Sequence, residues 1–518
     1  MDETVIEFPK HKVRGSLPVI RIEPEAYADL AEEAERAMLL SGLPLYRRGN
    51  LLVTPAIREV DGADGLLHTT AVLAEVSLPY LREFMNRSAR FERYSVRHKK
   101  FVATDPPEET GKLILARSPQ WQFPEVAGIL TAPTLGADGA ILDQPGFDPK
   151  SRLYFAKLPT LPFLADAPGK DMAEAALADL VALLAEFPLV DDVSRAVALS
   201  AMITSVCRGA IPMAPMHAMS APEPGSGKSY LFDVCAAIAT GKPCPVITPG
   251  RNSDETEKRL GAVVLAGQPC VSLDNVTSVL SSSLLCQILE RPRVLIRLLG
   301  GSKLGEAEAH TTWFATGINF TVADDLNRRT LIGRLDSDME RPELRTFRND
   351  PVATVLRERG RYIAACLTIP RAYIAAGKPG RLPKLASFGA WSDLVRSALV
   401  WLGCADPCVS ILAARDNDPT LQQRTAFFAA WPATDQGYTV AELIRLADAN
   451  DGDYGKTEAG IALHEALFAI APGSKGAVDP TALGKWLGSN KERIVGRRKL
   501  TRATAHGGVY RWWVGEQD

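Results

Sequence analysis

Two periodicities of hydrophobic and polar residues run along the chain and predict its elements. Residues 25–41 place their leucine, alanine and methionine side chains on one face of a predicted helix. Short strand patterns follow at 126–133 and 139–142, around a Gly-Ala-Asp-Gly turn. Residues 1–157 are therefore predicted to form an N-terminal α/β domain.

Helix and strand patterns alternate through the middle of the chain. Amphipathic helices are predicted at 172–186 and 193–207, and helical stretches separate most of the strands that follow. These strands are predicted at 215–220, 245–248, 269–273, 294–299, 311–315 and 330–335. Such alternation is typical of an α/β domain built on a parallel sheet, so residues 171–375 are predicted to form one.

Helical patterns dominate the rest of the chain, and a small module ends it. Residues 376–430 space their large apolar side chains three and four positions apart, as a helix does. Helices at 440–449, 457–471 and 480–490 and a hairpin ending at 509–514 then follow in the order of a winged helix. The predicted divisions are 1–157, a proline-rich linker at 158–170, 171–375, a helical lid or connector at 376–435, and a winged-helix-like module at 436–518.

The composition is that of a globular chain. Of its 518 residues 46% are hydrophobic and 23% are charged, and the formal net charge is -2. This balance gives no global sign of a polyanionic partner, so any nucleic-acid surface must be local. The eight cysteines include no CxxC pair, which favours buried free thiols over a zinc site. With no signal-peptide pattern and no run near the roughly 18 apolar residues of a membrane span, we predict a cytoplasmic protein without a membrane partner.

A glycine-rich turn follows the predicted strand 215–220 and opens a predicted helix. Its glycines let backbone N–H groups close around phosphate oxygens, and the helix N-terminus adds its positive dipole end. Lys228 then reaches the β- and γ-phosphates and the Ser229 hydroxyl binds Mg²⁺, which predicts ATP and Mg²⁺ as cofactors. Pro222 replaces the glycine that usually begins this pattern. The predicted nucleotide contacts are Gly225, Ser226, Gly227, Lys228, Ser229 and Tyr230.

An apolar strand that ends in Asp274 supplies the second half of the predicted site. A carboxylate at the carboxyl edge of a strand beside a phosphate-binding turn suits Mg²⁺, so Ser229 and Asp274 are the predicted metal residues. The alternative is that Asp274 caps the next helix. Asn275 stands where a glutamate usually polarises the attacking water. Because an amide cannot accept a proton, hydrolysis is either slow or served by a base from elsewhere.

A family resemblance rests on the order of five features. The phosphate-binding turn, the Leu-Asp-Asn strand, a hairpin, an Ala-Thr-Gly-x-Asn strand ending at Asn319, and the pair Arg328 and Arg329 follow one another. This order resembles superfamily 3 helicases and the related AAA+ helicase or primase-helicase proteins of prophages and integrated mobile elements. The similarity is specific over about 215–340. It implies an AAA+ P-loop ATPase core with a helical lid, in a hexamer that binds nucleotide between subunits.

The resemblance also implies individual roles. Asn319 would hold the hydrolytic water, with a simple turn asparagine as the alternative. Arg328 or Arg329 would reach a neighbour's γ-phosphate, whereas Arg334 is as well explained as a structural residue. The hairpin between 294 and 310 would bind a DNA phosphate through Lys303 at its tip, supported by Arg297, unless it is an ordinary surface hairpin. The predicted catalytic set is Lys228, Asp274, Asn275, Asn319, Arg328 and Arg329.

Two further segments are locally basic. Residues 485–511 contain eight lysines and arginines and one acidic residue. This positive charge suits phosphate contacts on DNA, with a protein contact as the alternative. Residues 82–100 carry seven basic residues, two acids and three aromatic residues, which suits either a single-strand path or a solvated helix face. The predicted C-terminal DNA contacts are Lys485, Lys491, Arg493, Arg497, Arg498 and Lys499.

Together these patterns predict an ATP-dependent, ring-forming DNA helicase that serves replication of a mobile element or prophage. Its expected partners are single-stranded or forked DNA, copies of itself in a hexamer, and a separate primase or polymerase. No acidic cluster or cysteine-rich module indicates priming by this chain. Two alternatives remain open: an ATP-binding replication initiator or switch with little turnover, and an AAA+ regulator that acts on protein partners.

Overall fold

The protein is described from a computed structural model, which covers residues 17–23, 26–61, 67–250, 252–276, 279–297, 304–416, 419–433, 437–448, 457–504 and 510–516. The strands are β1 Val19–Ile22, β2 Tyr46–Arg48, β3 Leu51–Asp61, β4 Leu67–Glu75, β5 Arg90–Ser95, β6 Lys100–Ala103, β7 Gly128–Leu130, β8 Thr134–Leu135, β9 Ile141–Leu142, β10 Gly146–Asp148, β11 Leu153–Phe155, β12 Met216–Ala221, β13 Val246–Ile247, β14 Cys270–Val276, β15 Arg293–Arg297, β16 Leu304–Glu308, β17 Thr312–Ile318, β18 Thr330–Arg334, β19 Ile494–Val495, β20 Arg498–Thr504 and β21 Tyr510–Glu516.

The helices alternate with these strands and dominate the second half of the chain. They are α1 Tyr27–Leu40, α2 Leu78–Ser88, α3 Glu108–Ala116, α4 Lys170–Leu183, α5 Asp192–Cys207, α6 Lys228–Thr240, α7 Ser253–Ala266, α8 Ser283–Glu290, α9 Pro351–Arg357, α10 Arg359–Ala375, α11 Gly389–Trp391, α12 Ser397–Trp401, α13 Val409–Asp416, α14 Pro419–Ala430, α15 Val440–Ala447, α16 Glu458–Ile470 and α17 Pro480–Ser489. Two compact units result: Met1–Phe320 with Arg328–Ile411, and Thr321–Asn327 with Leu412–Asp518. None of the described helices combines the length and apolarity that crossing a bilayer requires.

A five-stranded sheet in the order β13-β14-β17-β12-β18 organises the first unit. All of its strand pairs are parallel. Every residue of β12 is buried, because helices cover the sheet and small side chains let α5 pack closely. Phe232 of α6 stacks on Phe314 of β17 with ring centroids 4.3 Å apart. The prediction of a mixed α/β chain with a parallel sheet is confirmed.

The predicted strand 294–299 does not join this sheet. It forms β15, which pairs only with β16 in an antiparallel hairpin. Its burial alternates residue by residue, so only one face of the hairpin packs on the protein. The tip of this hairpin, residues 298–303, lies outside the described residues, and Lys303 with it.

The helical prediction for residues 376–430 is wrong over its first part. Between α10 and α11, residues 376–388 form turns and irregular chain. Pro379 and Pro383 cannot donate the backbone hydrogen bonds that a helix interior needs, and Gly377 and Gly380 take left-handed dihedral angles. The helical structure that the apolar periodicity predicts begins only at α11.

Beside the two-stranded sheet β8-β9, the described part of the N-terminal region contains three small three-stranded sheets. Their orders are β1-β5-β6, β2-β3-β4 and β10-β11-β7. Helices α1, α2 and α3 pack against one another and cover one face of β1 and β5. The buried side chains of this core include Ile20, Leu30, Met38, Leu81, Phe84, Phe91 and Trp121.

The turn between β2 and β3 fixes this region to the hairpin β15–β16. The buried Arg48 guanidinium donates to the carbonyls of Val264 at 2.8 Å and Glu308 at 3.1 Å, and also to Ala127. Burial lowers the pKa of Arg48 to about 10, although Glu308 and Glu125 act against this shift, so the group stays charged at neutral pH. The adjoining Asn50 side chain donates to the carbonyl of Leu304 at 3.1 Å.

From residue 437 onwards the described residues of the second unit form three helices followed by strands, as their sequence pattern predicts, and α14 precedes them. Helices α15, α16 and α17 enclose a core that includes Leu443, Leu467, Leu483 and Trp512. The predicted two-strand hairpin has a third strand, because Gly496 takes a left-handed turn that folds the short β19 onto β20. The helix α15 begins with a capping box between Thr439 and Glu442.

We expect Arg48→Met to destabilise the first unit by about 3 kcal/mol, because it leaves buried carbonyls without a donor. The measurement is the shift of the urea unfolding midpoint. Arg47→Met is the matched control: that side chain is 35% exposed and lies 3.7 Å from Glu125, so its removal should cost under about 1 kcal/mol. Equal destabilisation by the two variants would contradict the role assigned to Arg48.

Candidate functional site

The glycine-rich turn lies between the buried strand β12 and the first residue of α6. Gly225 and Gly227 have φ angles of 72° and 90°, which side-chain-bearing residues rarely adopt. The Ser226 hydroxyl donates to the Glu223 carbonyl at 3.0 Å and holds the turn in shape. The turn therefore brings the positive end of the α6 dipole to the carboxyl edge of the sheet.

Lys228 points into this turn. Its Nζ donates to the Glu223 carbonyl and to the Ser226 hydroxyl, each at 3.0 Å. Burial lowers the pKa of the Lys228 ammonium, while Asp274 and Glu223 act in the opposite direction. The Lys228 ammonium is thus held inside the turn, and its hydrogen-bond partners there are uncharged oxygens.

Asp274 joins the first turn of α6 to two strands. Its Oδ1 accepts a hydrogen bond from the Ser229 hydroxyl at 2.8 Å and another from the Thr316 hydroxyl of β17. The structure therefore brings the two predicted metal residues together. Asp274 does not cap the next helix, because Ser282 fills that position at α8. Thr316 belongs to the Ala-Thr-Gly-x-Asn strand but is absent from the predicted site residues, because the strand pattern alone does not show which hydroxyl faces Asp274.

Two asparagines flank this carboxylate on the same edge of the sheet. Asn319 directly follows β17, and its N–H donates to the carbonyl of Ala221 at 3.1 Å, where β12 enters the turn. Asn275 donates from its amide to Asp274 Oδ2 at 3.4 Å. Both asparagines are exposed and have left-handed dihedral angles, with φ of 44° for Asn319 and 56° for Asn275. The parallel arrangement of β14, β17 and β12 thus gathers the acid, Asn319 and the turn.

The two candidate arginines lie in different surroundings. Arg329 is buried, and its guanidinium is 2.6 Å from a carboxylate oxygen of Glu290 in the same chain. Arg328 keeps 55% of its side chain exposed and lies 3.8 Å from that carboxylate. Arg334 is exposed at the end of β18. Of the two, only Arg328 lies at the surface. The burial of Arg329 conflicts with its predicted role of reaching the γ-phosphate bound by a neighbouring subunit.

A cavity of about 800 Å³ adjoins the turn and was not predicted from the sequence. Phe187 and Tyr230 line it, with their ring centroids 6.3 Å apart and an angle of 29° between the ring planes. The Tyr230 hydroxyl donates to Asp350, and the Glu186 carboxylate accepts from the backbone N–H of Arg348 at 2.9 Å. The shape and the aromatic walls suit a flat, partly apolar group such as a nucleobase.

The predicted DNA-binding residues are spread over two places. Arg297 is exposed at the end of β15, next to the hairpin tip. In the second unit Lys485, Lys491, Arg493, Arg497 and Arg498 are exposed. Two of the set are engaged internally: Lys499 lies 2.5 Å from Glu492, and Arg498 donates to the Phe428 carbonyl at 2.9 Å. These two are therefore less available to a phosphate than their neighbours.

The cysteines do not form a metal site in the described part of the chain. All eight are free thiols, and Cys404 and Cys408 are the only pair at CxxxC spacing. Six of the eight are buried, as their apolar surroundings predict. No group of three or more His, Cys, Asp or Glu side chains converges among the described residues.

We expect Thr316→Val to weaken Mg²⁺-dependent ATP binding about tenfold, because it removes a hydrogen bond to a charged group. Binding of a fluorescent ATP analogue over a Mg²⁺ titration measures the effect. Thr312→Val is the matched control on the same strand: its buried hydroxyl has no hydrogen-bond partner among the residues that the structure describes. If both variants bind like the unaltered protein, Thr316 does not support the site.

No family model matches the sequence, and no curated protein matches it. The A-form apo structure of the NrS-1 C-terminal region is similar at 12% identity over 55% of this chain and 68% of that chain, with a TM-score of 0.27. The structure of SCCmec type IV Cch, an active helicase, is similar at 11% identity over 90% of both chains, with a TM-score of 0.33. At these TM-scores neither similarity carries an argument about this protein.

Proposed function

We propose that this chain is an AAA+ P-loop ATPase, similar to superfamily 3 helicases, that forms a hexameric ring and moves along DNA. In this proposal it acts as an ATP-dependent helicase in the replication of a mobile element or prophage. One observation supports it above the others: the Ser229 hydroxyl donates to Asp274 at 2.8 Å, immediately beside a turn that has two left-handed glycines and binds the Lys228 ammonium through the Glu223 carbonyl.

The residues of this site fit ATP and Mg²⁺. Gly225 and Gly227 leave room for phosphate oxygens close to the backbone, and Lys228 would hold the β- and γ-phosphates. Ser229 and Asp274 are the oxygen ligands that would hold Mg²⁺, directly or through water. When bound, ATP would supply the phosphoanhydride bond whose hydrolysis releases the free energy for movement. The aromatic cavity beside the turn is of a size for the nucleobase.

Hydrolysis requires a water molecule that is oriented and then deprotonated. Asn319 stands at the strand end beside the turn, where its amide would orient that water. Arg328, exposed on the surface, would stabilise the transition-state charge in the site of a neighbouring subunit. Because each site would then need two chains, ring assembly and turnover would depend on each other.

Asn275 supports a second candidate function. Its amide donates to Asp274 and offers no carboxylate at the position where the attacking water is usually polarised. A chain that binds ATP but hydrolyses it slowly would act as an initiator or switch that assembles on DNA. DNA-stimulated ATP turnover together with strand displacement distinguishes the helicase from this alternative.

Two features support DNA as the substrate. The segment that joins β15 to β16, residues 298–303, is glycine-rich and contains Lys303, and the exposed Arg297 directly precedes it, as in a DNA-gripping loop of such a motor. In the second unit, the helices α15, α16 and α17 and a small antiparallel sheet carry several exposed cations, which suits contacts with DNA phosphates. In the proposed ring, nucleotide-dependent movement of the hairpins would pull one strand.

We expect Lys228→Ala and Arg328→Ala each to lower ATPase activity by about 10³-fold or more when assayed alone. A one-to-one mixture should recover about a quarter of the unaltered rate, since random rings contain interfaces that join an intact Lys228 to an intact Arg328. The measurement is steady-state ATP turnover with forked DNA.

The control for this mixture uses two changes on the same side of the interface. Asp274→Ala mixed with Lys228→Ala should show no recovery, because no interface then has an intact nucleotide site. Arg328→Ala must still bind ATP, because this distinguishes the loss of the arginine that acts on a neighbouring subunit from misfolding of the chain. If Arg328→Ala binds ATP and the mixture stays inactive, Arg328 does not act on a neighbouring subunit.

We expect Lys303→Ala to keep its DNA-stimulated ATPase activity and to lose at least about tenfold in strand displacement, because the hairpin loses its phosphate contact. Displacement of a labelled strand from forked DNA measures the second activity. The control is Lys258→Ala, which alters an exposed lysine on α7. Undiminished unwinding by Lys303→Ala would argue against a DNA-gripping hairpin.

A further inference from the structure

The sheet β1-β5-β6 has one buried and one exposed face. Ile20, Ile22 and Phe91 point into the core against α1 and α2. The alternate positions of the three strands face away from that core, and strand pairing sets Tyr94 directly opposite Phe101. The exposed face therefore presents two aromatic rings side by side.

These rings are accessible and held in place. Tyr94 is 51% exposed and Phe101 is 37% exposed. Their centroids are 5.6 Å apart in an edge-to-face arrangement, and the Arg21 guanidinium covers Phe101 at 4.4 Å from its centroid. The ring of Tyr94 is thus supported from the side and left open to a further stacking partner.

Four exposed cations lie at the end of the sheet that carries the rings: Arg93 on β5, Arg97 and Lys99 in the β5–β6 turn, and Lys100 at the start of β6. Arg93 and Lys100 alternate with Tyr94 and Phe101 and so lie on the opposite face of the strands, whereas Arg97 and Lys99 belong to the turn beside the rings. In the described part of the chain none of them lies within ion-pair distance of a carboxylate. Two nearby arginines differ, since Arg90 pairs with Glu92 at 3.2 Å and Arg87 pairs with Glu83 at 3.3 Å. Positive charge therefore concentrates at the end of the sheet that carries the rings.

We infer that this face binds single-stranded DNA. Bases would stack on Tyr94 and Phe101, and phosphates would contact Arg97 and Lys99 in the adjoining turn. These turn cations are complementary to a polyanion, and exposed rings suit one whose bases are not already stacked in a duplex. The site is built from residues of the N-terminal region that the proposed motor does not use.

The structure also decides how the basic segment 82–100 is built. The segment is not one solvated helix face, because α2 ends at Ser88 and β5 begins at Arg90. Phe84 and Phe91 belong to the core, whereas Tyr94 lies on the surface. The aromatic member available to a single strand is therefore Tyr94, joined by Phe101 from the next strand.

The test measures fluorescence anisotropy of labelled dT20 and of an abasic 20-mer with the full-length protein, without nucleotide. The double variant Tyr94→Ala/Phe101→Ala should bind dT20 about tenfold more weakly and bind the abasic oligomer unchanged, since only bases can stack. Arg97→Glu/Lys99→Glu should weaken binding of both oligomers. The matched controls, Phe163→Ala at an exposed aromatic residue and Lys112→Glu on α3, should leave both affinities unchanged.

A second measurement requires no substitution. Photocrosslinking of a 5-iododeoxyuridine oligomer to the unaltered protein should label a peptide that contains Tyr94 or Phe101. Unchanged dT20 affinity in the aromatic double variant, or crosslinks confined to the C-terminal module, would overturn the inference. Because no ATP is present, Lys228→Ala should bind dT20 normally, so failure of the motor proposal and failure of this site give different results.

Discussion

The candidate site depends on satisfying a single carboxylate. Asp274 is partly withdrawn from water, and a charged group in that position requires hydrogen-bond donors. Ser229 supplies one from the first turn of α6, and Thr316 supplies another from the neighbouring strand. These two bonds fix the start of α6 relative to the carboxyl edge of the sheet. The glycine-rich turn can therefore have a defined shape even though it has no regular secondary structure of its own.

The remaining parts of the site come from distant segments that the sheet brings together. Because β14, β17 and β12 run parallel, their carboxyl ends lie side by side and their polar residues meet without any sequence proximity. Phe187 precedes the strands of the sheet in the sequence and Asp350 follows them, and both residues line the neighbouring cavity. Oxygen ligands, a cation and aromatic walls are thus combined around the N-terminus of one helix.

Much of this arrangement could be predicted from sequence, and the parts that could not share a physical reason. The turn with Lys228 and the strand with Asp274 are local patterns, and parallel pairing makes their proximity predictable. Thr316 could not be selected, because the register between strands decides which hydroxyl faces the carboxylate. Arg328 and Arg329 look equivalent until the fold buries Arg329 against Glu290 and leaves the Arg328 side chain 55% exposed. The cavity depends on segments about 160 residues apart, between which no local pattern signals contact.

The turn after β2 has a consequence for how copies of the chain can meet. A two-stranded ribbon exposes unpaired backbone groups along its outer edge and can capture an extra strand from another molecule. Along β16, Arg48 and Asn50 occupy the carbonyls of Glu308 and Leu304. Gly49 approaches Glu306 so closely that a Cβ there would overlap its carbonyl oxygen. These contacts from Arg48, Gly49 and Asn50 therefore prevent another chain from adding a strand at this edge of β16, and they oppose aggregation through the hairpin.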